Sequence, residues 1–154
     1  MKIALALLLM APLSVWCQDE AYKFKPKQQI APTALFFLAG AVDGLNQAIS
    51  HQYPSFKRAF PNANDRYWSP SISFSNKYKN GDPAQGERFW GSSSVFVFTT
   101  DAYHLTRFTE HLLLAGAVSV KISQEKKKWY WYVAEMAGYW IVNRAGFALV
   151  YNRF

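Results

Sequence analysis

Three apolar segments of helical length, at residues 33–50, 94–120 and 129–151, limit what this 154-residue chain can fold into. Each carries a narrow set of polar residues on an otherwise apolar body. Helices of this kind lower their free energy by packing on one another, and polar stripes are least costly when they face each other. The pattern predicts a mainly α protein: a small helical bundle of about three long helices, membrane-embedded, with a long ordered aromatic loop at residues 51–92.

The stripes follow from residue spacing. In the first segment Asp43, Asn46, Gln47 and Ser50 fall at i, i+3, i+4 and i+7, so they share one helical face. In the second, Thr100, His104, Arg107 and His111 lie in one sector, with Asp101 and Glu110 on either side of it. In the third, Glu135, Tyr139 and Asn143 form a single row. Gly40, Ala41 and Gly44, and Gly138, Ala145 and Gly146, are small enough to let helices approach closely.

The third segment is long enough for one membrane crossing, and Trp129, Tyr130, Trp131, Tyr132 and Tyr151 sit at its ends like interfacial belts behind a triple lysine. Glu135, Asn143 and Arg144 inside it, and a mean hydropathy of −0.12, keep a soluble bundle as the alternative to the membrane-embedded one.

Residues 1–17 read as a secretory signal peptide: Lys2 precedes an apolar run interrupted only by Pro12 and Ser14, too short to span a bilayer comfortably. An uncleaved anchor is the alternative. Lipidation of Cys17 is disfavoured because bulky Trp16 stands where such sites carry a small residue. A cut after Cys17 removes the chain's one cysteine, and with it disulfide and thiolate chemistry. Residues 18–31 form a polar basic arm, and 32–154 a single helical domain. Nucleic acid does not fit an exported chain. The formal charge of +7, with clusters at Lys23, Lys25 and Lys27 and at 126–128, suits anionic lipid headgroups, and a solvated basic surface explains it equally. The expected location is a membrane or the cell envelope.

The 51–92 loop is punctuated by Pro54, Pro61, Pro70 and Pro83, yet rich in aromatic residues, which points to an ordered, packed connection. Short strands are weighed at 71–75 and 96–98. Trp68 and Trp90 are its candidate partner-binding residues.

A polar centre of Asp43, Asp101, His104, Arg107, His111 and Glu135 is the functional candidate. Catalytic candidates are His104, His111, Asp101 and Glu135; ligand-binding candidates are Arg107, Asp43, Asn46, Tyr139 and Asn143. A metal fits poorly, because His104 and His111 stand about 10 Å apart along a helix with Arg107 between them. The 80–87 turn lacks the acidic spacing of a calcium loop, and no cofactor is implied. An anion suits an arginine flanked by imidazoles. The competing reading pairs Arg107 with Asp43 or Glu135, with Glu110 as its exposed partner and the histidines hydrogen-bonded inside the bundle.

Two functions follow. One is a non-enzymatic envelope protein that binds membrane lipids or another envelope protein. The other is a small hydrolase-like membrane enzyme acting on a lipid-like anion, with His104 or His111 as general base and Arg107 holding the negative charge.

Overall fold

The computed structural model describes residues 25–124 and 127–154. The expected signal peptide, Cys17 and residues 18–24 of the arm lie outside the described residues. The described chain is mainly helical, with six helices rather than about three. In order they are α1 (Pro26–His51), α2 (Tyr53–Ala59), α3 (Asp65–Trp68), α4 (Pro70–Ser73), α5 (Ala102–Ile122) and α6 (Trp129–Tyr151). The long helices α1, α5 and α6 correspond to the three apolar segments. The short ones fold within the stretch expected to be loop, together with 3₁₀ turns at 74–77, 79–81, 83–85 and 97–99.

Helix α1 starts at Pro26, inside the expected polar arm, and runs through Pro32. A proline in a helix cannot donate to the carbonyl four residues back. That carbonyl, on Gln28, instead accepts from Gln124 Nε2 at 2.7 Å, so the interruption is satisfied from the end of α5. Helix α5 begins at Ala102, not near residue 94. Asp101 adopts an extended backbone and its carboxylate accepts from the His104 N–H at 2.9 Å, a side-chain N-cap that fixes the start. The strands weighed at 71–75 and 96–98 are helical turns. Pro70 at the first position of α4 presets a helical φ.

Helix α1 lies between the other two. It runs antiparallel to α5, with Asn46 donating to the Tyr103 carbonyl at 2.9 Å. It runs parallel to α6, with Asn143 donating to the Phe36 carbonyl at 3.1 Å. The α1–α6 seam is backbone against backbone. A Cβ added at Gly40 would stand 1.9 Å from the Asn143 carbonyl oxygen, and one at Gly146 would stand 2.2 Å from that of Phe37. Gly44 meets the Phe147 carbonyl similarly, at 2.6 Å. Gly138 has open space around it, so it is not part of the seam.

Phe36, Ala117 and Tyr139 form the core between the long helices, with the Phe36 and Tyr139 rings stacked at 4.8 Å. A second core of Ile49, Phe56 and Ala102 fastens the loop segment over the start of α5. Placing α1 in the middle leaves outer faces uncovered: Leu112, Trp129, Trp140, Ile141 and Leu149 are exposed.

Among the described residues no helix is long and apolar enough to cross a membrane, so the expected transmembrane helix is not found there. Charged side chains interrupt the apolar runs: Arg107, Glu110 and Lys121 in α5, Glu135 and Arg144 in α6.

Candidate functional site

The polar stripes do turn inward, but onto two sides of α1 and at three levels, so the expected single polar centre is divided. Asp101 and His104 stand at the start of α5, Arg107 in its first half opposite Asp43 of α1, and Glu135 of α6 beside its far end. Lys121 lies 20 residues beyond Asp101, about 30 Å along the helix.

At the far end, Glu135 Oε2 sits 2.9 Å from Lys121 Nζ, which also donates to Gln29 Oε1 at 3.1 Å, and both ionic side chains are largely buried. Lys127 pairs with the other Glu135 oxygen, and the Tyr139 hydroxyl donates to Gln29. This network locks the ends of α1, α5 and α6 together. Glu135 and Tyr139, catalytic and ligand candidates in the sequence, are structural ties here, as is Asn143 one turn further on.

In the middle, Arg107 lies 3.0 Å from Glu110 and 3.4 Å from Asp43. Burial pushes the Glu110 carboxyl above the usual range, and the charge of Asp43 adds to the effect. Glu110 is therefore more enclosed than the exposed partner expected of it. Asn46 is buried and donates to Thr106 Oγ1 at 2.7 Å. His111 is exposed, and its Nδ1 donates to the Arg107 carbonyl at 2.6 Å. Arg107 thus has two carboxylates within reach of Nη1, which offset its charge.

The start of α5 differs. Asp101 is fully buried, and its oxygens stand 2.7 and 2.9 Å from His104 Nδ1. Thr100 Oγ1 donates to the same carboxylate at 3.0 Å. Engaging Nδ1 with a carboxylate makes Nδ1 the protonated nitrogen of neutral His104 and leaves Nε2 as its base. Both residues line a cavity of about 260 Å³ together with Pro70, Ser73, Phe74 and Tyr103.

Beside it, across Thr100, lie two adjoining cavities of about 400 and 430 Å³, both lined by Arg66, Asn76 and Arg88. Neither contains a carboxylate in its lining. The acids of the loop are engaged elsewhere: Asp65 with Lys57 and Tyr53, Asp82 with the Ala84 N–H and Gln85, and Glu87 with Gly91 and Ser93. Among the described residues, then, Arg66 and Arg88 have no ion-pair partner. Asn76 holds the wall in place, donating to the carbonyls of Arg66 and Thr100. Tyr67, in the same lining, has its phenol pushed upward by burial, then by the Asp101 charge. Sequence reasoning missed Arg66, Arg88 and Ser73. They are scattered through an irregular loop and share no periodicity that spacing could reveal.

The two candidate tryptophans separate. Trp68 packs on Phe56 with ring centroids 5.3 Å apart and belongs to the second core. Trp90 is 79% exposed, next to Arg88 and exposed Phe89, with its ring 5.7 Å from Phe96. Comparison with family models, curated proteins and solved structures finds no match.

Proposed function

We propose that this protein is an exported envelope component that docks on an anionic lipid surface through the loop assembly over the start of α5. The observation that carries this reading is the pair Arg66 and Arg88, which line adjoining cavities without a compensating acid. Guanidinium groups left unpaired in concave polar surroundings suit phosphate oxygens, which they meet with two parallel hydrogen bonds. The neighbouring surface fits the same partner. Trp90 and Phe89, which follow Arg88 in the chain, and Ile72, which lines one of the arginine cavities, are exposed, and aromatic side chains favour the headgroup level of a bilayer. Lys77 and Lys79 add positive charge nearby.

Sedimentation with vesicles tests the reading. The mature chain is expected to bind vesicles containing phosphatidylglycerol and to bind pure phosphatidylcholine vesicles weakly. Each juxtamembrane cation contributes about 1 kcal/mol, so R66Q/R88Q should weaken binding by roughly 30-fold. W90A should weaken it further, with a smaller blue shift of tryptophan emission. Equal binding to both kinds of vesicle, or undiminished binding by R66Q/R88Q, refutes the proposal.

A further inference from the structure

The cavity at the start of α5 contains one group that neither the fold nor lipid docking uses. Ser73 is 1% exposed, and its hydroxyl oxygen is buried without a hydrogen-bond partner among the described residues. A buried hydroxyl left unpaired carries a free-energy cost; Asn46 Oδ1 shares that state within a helix seam, and Ser73 differs from it in lining a cavity. Ser73 lines the same cavity as the Asp101–His104 pair. Three elements bring them there: α4 supplies Ser73, the cap supplies Asp101, and the first turn of α5 supplies His104.

We propose that Ser73 and His104 are the nucleophile and general base of a carboxylic-ester hydrolase, with Asp101 as the residue that positions His104. The arrangement meets two requirements of acyl transfer. Asp101 fixes the imidazole by its Nδ1 and leaves Nε2 to take a proton. The hydroxyl has no competing acceptor to hold its proton away from the base. No hydrogen bond joins Ser73 to His104; such contacts commonly tighten when substrate binds.

The reaction balances without a co-reactant other than water. Ser73 Oγ forms a bond to the acyl carbon as its proton passes to His104 Nε2. The bond to the alcohol oxygen then breaks, and the leaving oxygen takes that proton. Water, deprotonated by His104, splits the acyl-serine, so one ester and one water become one acid and one alcohol. The lining by Pro70, Phe74 and Tyr103 selects an ester with an apolar acyl chain. Its presentation from a lipid surface rests on the docking reading above; the chemistry does not.

A soluble fluorophosphonate tests the chemistry on the full chain in free solution, without vesicles, so the two proposals fail separately. Attack by Ser73 on phosphorus expels fluoride and leaves a stable adduct. Peptide mapping of the native protein should place that adduct on Ser73. S73A should abolish labelling, S71A should retain it, and H104Q should slow it by about 100-fold or more. With p-nitrophenyl butyrate, D101N should lower kcat with little change in KM or Tm, because asparagine still caps the helix but no longer orients the imidazole. Absence of an adduct on the folded native protein, an adduct on another serine, or labelling indifferent to H104Q overturns the assignment.

Discussion

Replacement of Gly146 by alanine isolates the contact that holds α1 against α6. In an ordinary exposed helix, glycine to alanine stabilises by about 0.8–1 kcal/mol, because alanine loses less backbone entropy on folding. At Gly146 the added methyl would stand 2.2 Å from the Phe37 carbonyl oxygen and 3.1 Å from the Ala41 nitrogen, both rigid backbone. Ordinary contact begins near 3.4 Å, so the helices must part by about 1 Å along a seam shared with Gly40 and Gly44. Overpacking of this kind costs about 1–3 kcal/mol and here exceeds the propensity gain, giving a net loss of about 1–2 kcal/mol. Gly138, on the same helix, is the internal control. Nothing lies within 4 Å of a methyl placed there, so G138A should gain the propensity term undiminished. Thermal and urea unfolding followed by circular dichroism should move the two variants in opposite directions. The difference should be about 2–3 kcal/mol, or roughly 10 °C in Tm for a chain of this size. Equal or greater stability of G146A relative to wild type would refute the proposed seam.

Other consequences are as direct. K121M removes one partner of the enclosed Glu135 and should cost about 2 kcal/mol in urea unfolding, Lys127 still holding the other oxygen; E135L, which takes the shared carboxylate from both lysines, should cost more. W68A, which empties part of the second core, should lose about 3 kcal/mol, whereas W90A should unfold at the wild-type urea midpoint. The Tyr53 phenol is pushed up to about 12, first by burial and then by its hydrogen bond to Asp65. The stability linked to this raised folded-state value is present below the ordinary value of 10 and is lost as pH rises through 12; in ultraviolet titration Y53F should remove one tyrosinate from the late-titrating fraction, leaving that of Tyr67. The Asp65 carboxyl is held below the usual range, first by its hydrogen bond to Lys57 and then by Tyr53. Its contribution is present above the ordinary value of 3.8 and is lost as pH falls through the lowered one, and D65N should flatten that acid limb of stability.

Local pattern carried a good deal of this outcome. The helical periods of 33–50 and 129–151 reappear in α1 and α6, because spacing along a helix sets its faces whatever lies opposite. Gly40, Gly44 and Gly146 were recognisable as close-approach positions for a related reason: residues without bulk are seldom useful elsewhere in an apolar helix. Other boundaries failed where a single side chain overrode the average. Asp101 begins α5 by capping it, and Gln124 allows α1 to continue past Pro32.

Which stripe would face which neighbour was beyond the chain's one-dimensional pattern. Asp43, Arg107 and Glu135 all turned inward, yet α1 came to lie between its partners, so the stripes never met in one centre. That choice depends on backbone approach at three glycines and on side-chain fit, both long-range quantities without a periodic signature. The same holds for Ser73, Arg66 and Arg88, which are ordinary loop residues until folding sets one beside a buried Asp–His pair and leaves the others without an acid. Helix faces follow from chemistry within a few residues; the sharing of a cavity is decided only when distant segments pack.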